Sequence, residues 1–276
     1  MKDTIIMDGK KVRDNLLPEL KKRYSFLEEK LKLVVIRIGE SEENELYVKQ
    51  KRKMAEVLGV SFQEIIFSSS NTKKEIFEKI HELNMDDGVH GIMIQSPVPS
   101  SFSFLELVDQ IDSRKDVDCL TTKNQESLSK DFKILPATVQ GIFFLLNFYQ
   151  MIPKSKKVVI LGKSRLVGAP LYTLLKRTNE VVLCDSKTED TLELLKQADY
   201  VFIAIGKSEW LKRDMLKEGV VVIDIGTTVL DNKLLGDCDF QNLLGYARAI
   251  TPVPGGVGPL TVYSLYTNLI NLYDGE

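Results

Sequence analysis

Tyr47 and Lys51 lie four residues apart in the segment Glu43–Leu58, whose pattern is helical, so the two share one helix face. Met54, Ala55 and Leu58 continue that face, which is apolar and should look inward. A lysine on an inward face either snorkels its ammonium to water or serves chemistry with a lowered pKa. Asp118 closes the run Lys115-Asp-Val-Asp118. A carboxylate there can accept paired N–H donors from a heterocycle, or simply cap a loop. The turn Gly162-Lys163-Ser164-Arg165 separates the apolar run Val158–Leu161 from an apolar pattern at helical spacing, Leu166, Val167, Pro170, Leu171, Leu174 and Leu175. Strand, small-residue turn and helix can bind a phosphate through free backbone N–H groups and the helix dipole. The spacing Gly162-x-Ser164-x-x-x-Gly168 falls short of a full dinucleotide fingerprint, and an ordinary β–α turn has the same outline. The loop Pro252–Gly258 is stiff at its prolines and open at its glycines. It suits a tight connection or a backbone surface laid against a ligand.

The elements that must position these residues follow from periodicity. Strands are expected at Leu31–Gly39, Phe62–Phe67 and Gly91–Gln95, with helices at Gly9–Lys30, Glu43–Leu58, Thr72–Leu83 and Phe102–Ile111 between or beside them. Gly59 can end the second helix and Asn71 can cap the third. After a polar stretch, Ser113–Lys133, an apolar helix runs over Gln140–Phe148. The second half has strands at Val158–Leu161, Val181–Cys184, Tyr200–Ile205 and Val220–Ile225, helices near Glu189–Ala198 and Glu209–Lys217, and a hairpin-like excursion at Thr227–Asp239. A last helix is expected from Leu260 to about Tyr273. This alternation predicts an α/β protein with parallel sheets. Ligands on such sheets sit beyond the carboxyl ends of the strands, which points at Gln95 and the loop after it, while the strand-end glycines Gly206 and Gly226 mark where the backbone must pass close to something flat or turn sharply.

Composition narrows the classes. The 276 residues suit one large or two modest domains; they are 43% apolar and 28% charged, as in soluble globular proteins. A net charge of −2 gives no basic bias toward nucleic acid. No apolar stretch approaches the ~20 residues that span a bilayer, and the first residues lack the apolar core of a signal peptide. Cys119, Cys184 and Cys238 are odd in number and far apart, which suits a reducing cytoplasm. The two histidines, His81 and His90, have no ligand-spaced neighbours, so both read as structural and no metal site is expected.

Six motifs occur in order: Tyr47-x-x-x-Lys51, Gln95-x-Pro97-x-Pro99, Lys115-Asp-Val-Asp118, Gly162-x-Ser164-x-x-Val-Gly168-x-Pro170, Gly236-Asp-x-Asp-Phe240 and Ile250-Thr-Pro-Val-Pro-Gly-Gly-Val-Gly-Pro259. In them the chain closely resembles the bifunctional methylenetetrahydrofolate dehydrogenase/methenyltetrahydrofolate cyclohydrolase family, nearly end to end. The resemblance implies two α/β domains with a cleft between them. Residues 1–138 plus 260–276 would form the folate-binding catalytic domain, and 139–259 a Rossmann-like NAD(P)-binding domain. It implies oxidation of 5,10-methylenetetrahydrofolate to the 5,10-methenyl form, then hydrolysis to 10-formyltetrahydrofolate. Lys51 would be the key catalytic residue of the hydrolysis, tuned by Gln95. Tyr47 would stack on the folate, Asp118 would hold the amino-pyrimidine edge, and Pro254, Gly255 and Gly256 would lie along the substrate. The turn with Gly162, Lys163, Ser164, Val167 and Gly168 would take the pyrophosphate. Thr138, Ile205, Gly206 and Thr227 would lie near the nicotinamide half. A cytoplasmic homodimer follows by the same analogy.

The chain departs from the family at several of these places. Lys163 replaces the usual Arg, and Asp185-Ser186 replaces His-Ser; in the family that Arg and Ser seat the 2′-phosphate of NADP. An acidic residue about 20 positions after the turn is the usual partner of a free ribose 2′-hydroxyl, which favours NAD, while the family implies NADP. Ala137, Val139, Cys119, Glu126 and Thr227-Thr228 also differ from the family's pattern. The competing readings are a dehydrogenase without hydrolase activity, a shikimate- or amino-acid-type dehydrogenase, and a non-catalytic folate- or dinucleotide-binding protein.

Overall fold

The structure is a computed structural model that describes residues 3–39, 42–130, 132–230 and 233–275. Its strands are β1 (Ile5–Ile6), β2 (Lys32–Ile38), β3 (Ser61–Phe67), β4 (Gly91–Ile94), β5 (Lys157–Leu161), β6 (Glu180–Cys184), β7 (Tyr200–Ile203), β8 (Val221–Asp224), β9 (Thr228–Leu230), β10 (Lys233–Leu235) and β11 (Ala249–Ile250). Its helices are α1 (Gly9–Ser25), α2 (Glu42–Leu58), α3 (Lys73–Met85), α4 (Phe104–Val108), α5 (Thr122–Ser127), α6 (Ala137–Phe148), α7 (Gly168–Leu175), α8 (Thr191–Gln197), α9 (Phe240–Leu243) and α10 (Val257–Asp274). None is long and apolar enough to cross a membrane among the described residues.

The chain divides into two compact units, Met1–Asn15 with Thr138–Thr261, and Leu16–Ala137 with Val262–Glu276. The division differs from the expected one at the N-terminus. The resemblance implies residues 1–138 for the folate domain, whereas the first fifteen cluster with the other unit, where β1 pairs in parallel with β11. A two-residue strand is too short to show as a period in the sequence.

In the unit containing Leu16–Ala137, β2 lies between β3 and β4 in a parallel three-stranded sheet. Leu33, Val34, Val35 and Ile36 of β2 are fully buried, as a continuous apolar run on a sheet covered on both faces requires. Gly59 takes a φ of +74° just past α2, the left-handed conformation that ends helices. The cap of α3 is Thr72 rather than the expected Asn71. The Thr72 hydroxyl accepts the Glu75 N–H while Glu75 Oε2 accepts the Thr72 N–H at 2.7 Å, a reciprocal capping box; Asn71 instead accepts the Ser68 N–H.

In the other unit, six parallel strands run in the order β1-β11-β8-β7-β5-β6. Read from β6 inward, β5 to β8 and β11 follow the doubly wound order 2-1-3-4-5, so strand order reverses between β5 and β7. The excursion at Thr227–Asp239 contains the antiparallel pair β9 and β10. The helix expected at Glu209–Lys217 is only a 3-10 turn at Arg213–Met215. Backbone pairing with the next loop holds the segment out of a helix: Leu211 N–H donates to Asp237 O, and Asp239 N–H donates to Leu211 O.

Candidate active site

One cluster lies in the unit of β2, β3 and β4. On α2 the face Lys51, Met54, Ala55 and Leu58 is buried and Tyr47 is half-buried. Lys51 is only 6% exposed, so it does not snorkel. Its Nζ donates to Gln95 Oε1 at 2.6 Å, and Gln95 Nε2 donates to Ser96 O at 2.7 Å, which fixes which amide atom faces the lysine. Gln95 sits at the carboxyl end of β4, its N–H still on the sheet through Ile36 O. Burial pushes the Lys51 pKa down to about 8, and the negative charge of Asp118 opposes that shift.

Asp118 arrives beside this pair through β-type pairing. A parallel bridge joins Asp116 to Ile92 of β4, so the chain two residues further on runs alongside the end of that strand. The buried Asp116 carboxylate holds the loop by accepting the Thr121 N–H at 2.8 Å and Asn124 Nδ2 at 2.9 Å. Asp118 itself accepts no side-chain hydrogen bond among the described residues. Burial pushes its carboxyl up to about 6 against the pull of Lys51. Cys119, which follows, has a φ of +57°, the left-handed conformation that glycine adopts most easily. Helix α10 pins both sides. Tyr266 Oη donates to Lys51 O at 2.6 Å, and Asn268 Nδ2 donates to Val117 O and Leu135 O.

A second set lies at the carboxyl ends of β5 to β8. Gly162 follows β5 with φ +104°, and a Cβ on it would lie 2.4 Å from Ala204 O, which follows β7. The turn is therefore at the point where strand order reverses, where doubly wound sheets bind ligands. A Cβ on Gly168 would lie 1.7 Å from Gly162 O, so α7 packs against the turn as only glycine permits. Val167 caps α7 with no side-chain hydrogen bond, while Ser164 Oγ accepts the Val167 N–H at 3.3 Å. Lys163 Nζ lies 3.0 Å from Asp185 Oδ2, just past β6, and exposed Ser186 follows. The Lys163 hydrogen bond, with one from the Lys187 N–H, holds the Asp185 carboxyl below the ordinary carboxylate range. These features fit a dinucleotide: a glycine cradle at the switch point and charged groups at the next strand end.

The remaining expected residues are in the same unit. Thr138 is the second residue of α6 and accepts from Thr261 Oγ1 at 3.4 Å. Thr227 is exposed after β8. The loop with Pro254, Gly255 and Gly256 serves as a tight connection at least in part, since Gly9 N–H donates to Gly255 O at 2.9 Å and a Cβ on Gly9 would lie 1.7 Å from Gly256 O.

Two buried carboxylates stand here: Asp224, not singled out from the sequence, and Asp237, which appears there only within the motif Gly236-Asp-x-Asp-Phe240. Asp237 Oδ2 accepts the N–H groups of Ile205 at 2.7 Å and Gly206 at 3.1 Å, and Oδ1 accepts that of Lys207 at 2.7 Å. Asp224 in turn accepts the N–H groups of Asp237 at 3.0 Å and Cys238 at 2.8 Å. Burial pushes the Asp224 carboxyl up to about 6. The signal in the sequence was a carboxylate at the end of an otherwise apolar strand, Val-Val-Ile-Asp224, where only a partnered charge can stand.

Comparisons with known proteins agree on one family. The family model for the tetrahydrofolate dehydrogenase/cyclohydrolase catalytic domain matches residues 7–118, and that for the NAD(P)-binding domain matches residues 136–276. The bifunctional protein FolD of Acholeplasma laidlawii is 41% identical over 271 residues, covering 98% of each chain. The bifunctional FolD enzyme of Campylobacter jejuni, a crystal structure, is 35% identical with a TM-score of 0.93 over 99% of this chain and 100% of that one. The FolD of Trypanosoma brucei, solved with NADP and an inhibitor, is 28% identical with a TM-score of 0.94 over 100% and 99% of the two chains.

Proposed function

The chain belongs to the tetrahydrofolate dehydrogenase/cyclohydrolase family, and from that premise we propose that it oxidises 5,10-methylenetetrahydrofolate with NADP and hydrolyses the methenyl product to 10-formyltetrahydrofolate. The observation that carries this reading is the buried Lys51–Gln95 contact with Asp118 alongside. NADP supplies the hydride acceptor. The side chains supply position and proton transfer. In the hydrolysis a water oxygen bonds to the amidinium carbon and loses one proton, then a ring C–N bond breaks, its nitrogen gains that proton, and the new hydroxyl gives its remaining proton to solvent as the formyl C=O forms. A lysine with a pKa of about 8 can take and return the first proton near neutral pH. Gln95 keeps Nζ in place, Tyr47 one turn earlier offers a ring face, and the carboxylate of Asp118 remains open to paired N–H donors. A shikimate-type substrate has no use for such a carboxylate beside a heterocycle-stacking ring.

Two predictions follow from these charges. The proton-accepting form of Lys51 is the amine, so hydrolysis should rise with pH on a limb centred near 8. Asp118 holds the ammonium form, so Asp118→Asn should move that limb to lower pH. A limb that stays put in the variant would detach Asp118 from Lys51. The second concerns the ribose. Asp185 is already engaged by Lys163, and its negative charge opposes a 2′-phosphate. Asp185→Ser should release Lys163 to the phosphate and tighten NADP about tenfold, with NAD unchanged or weaker. Equal changes for both dinucleotides would remove this pair from cofactor choice.

The overall test is a parallel assay with 5,10-methylenetetrahydrofolate and either NADP or NAD, following reduced nicotinamide and methenyl-folate separately. Reduced cofactor without accumulating methenyl-folate is the expected result. Methenyl-folate building up in step would leave a dehydrogenase alone, and no reduction would leave a binding protein. We place the enzyme in the cytoplasm as a homodimer; the three unpaired thiols and the exposed Val229 and Leu230 of β9 support these in turn. A monomer mass by sedimentation would remove the second.

A further inference from the structure

Three consecutive N–H groups beyond the end of β7, those of Ile205, Gly206 and Lys207, converge on the single carboxylate of Asp237. Such a run of N–H groups is an anion-binding nest. Here the chain fills the nest with its own anion. The space for it is made by two glycines: a Cβ on Gly226 would lie 2.0 Å from Asp237 Oδ2, and one on Gly236 would lie 2.1 Å from Asp224 Oδ2. Asp224 then fixes the backbone that carries Asp237 through two more N–H groups. With its N–H side occupied, the loop's backbone has only acceptors left, while the exposed Lys207 side chain remains a donor. The carbonyls of Ala204, Ile205 and Gly206 accept no hydrogen bond among the described residues. The loop also stands at the switch point, since Ala204 O is the atom that a Cβ on Gly162 would strike.

We propose that Asp237 is a positioning residue for the redox reaction, holding the Ala204–Lys207 loop so that its backbone offers only the carbonyl oxygens of Ala204, Ile205 and Gly206, and that the group recognised there is a hydrogen-bond donor, the carboxamide NH2 of the nicotinamide. This rests on the reading that the loop faces the nicotinamide half of the cofactor. Asp224 acts one step further back, through Asp237. A carbonyl surface discriminates by chemistry: it accepts from an amide and offers nothing to a ketone of the same shape.

The test uses the full chain with Asp237→Asn, which keeps the size of the side chain and replaces one acceptor oxygen with an N–H2 donor. In the unliganded protein, hydrogen exchange at Ile205, Gly206 and Lys207 should quicken by about tenfold or more. Binding is then compared for NADP and its 3-acetylpyridine analogue, which lacks the NH2. The wild type should prefer NADP by about tenfold, and the variant should lose about tenfold in NADP affinity while the analogue changes by less than about threefold. Unchanged exchange overturns the carboxylate's hold on the loop. Equal loss for both ligands overturns the positioning role in favour of a general structural one. Faster exchange with undiminished NADP affinity overturns the proposal at its other joint, the placing of the nicotinamide at this loop, and so separates the two failures. If Asp237→Asn does not fold, Asp224→Asn carries the same comparison and should show the same pattern at smaller amplitude; equal loss for both ligands there would overturn the relay.

Discussion

Replacing Lys51 with Met is expected to lower the hydrolysis rate by about 10²- to 10⁴-fold, the usual size of a lost proton-transfer group, with folate binding held within a few-fold. The same change should make the protein more stable at pH 7. Lys51 has a pKa of about 8 when folded, against an ordinary 10.5. Between those values the unfolded chain binds more protons than the native one, so stability rises with pH across the window from 8 to 10.5. Below pH 8 the full cost of burying the ammonium is present, about 3 kcal/mol as an upper bound. Methionine removes that cost, and its gain should fade above pH 10. Asp118 loses its neighbouring cation in the variant, which trims the gain. Urea unfolding at pH 7 and pH 10 reads the difference. A variant that loses both hydrolysis and stability would make Lys51 a structural residue.

Gly168→Ala is expected to weaken NADP binding by about 100-fold or more and to cost about 3 kcal/mol of stability. The new Cβ would lie 1.7 Å from Gly162 O, so α7 must withdraw from the turn that would cradle the pyrophosphate. Gly258→Ala is the matched control. It lies in the first turn of α10 with nothing within 4 Å of its Cβ position, and should be neutral or stabilising by up to about 1 kcal/mol. Calorimetric titration with NADP and thermal melts of the two variants decide the matter. Near-normal NADP affinity in Gly168→Ala would show that the close approach of α7 is not what forms the site.

Much of this was legible in the sequence where a local pattern determines the structure. Lys51 and Tyr47 share a helix face because 3.6 residues make a turn, and the apolar neighbours of Lys51 told which way that face looks. The strands were legible because β2, β4, β7 and β8 are nearly continuous apolar runs. What was hidden depends on partners distant in the chain. The N-terminal strand exists only because Arg248 O and Ile250 O accept from Ile5 and Met7. The segment Glu209–Lys217 has helical composition, but Leu211 is claimed by the loop at Asp237 to Asp239, and long-range pairing overrides propensity. Gly226 and Gly236 could have marked a turn or a close approach; that both make room for a carboxylate is visible only in three dimensions.

The anchoring of Lys51 by Tyr266 spans 215 residues of sequence. A chain leaves the ribosome from its N-terminus at about 5–20 residues per second. Strand β2, helix α2 and the loop of Asp118 are thus all made well before α10 exists to fix the backbone at Lys51 and Val117. The doubly wound sheet lies between them in the order of synthesis, and every strand of it is complete before Tyr266 appears. A nascent chain stalled before Tyr266 should therefore carry the strands of the nucleotide unit while Lys51 still lacks its anchor, so the two halves of one enzyme mature on different clocks.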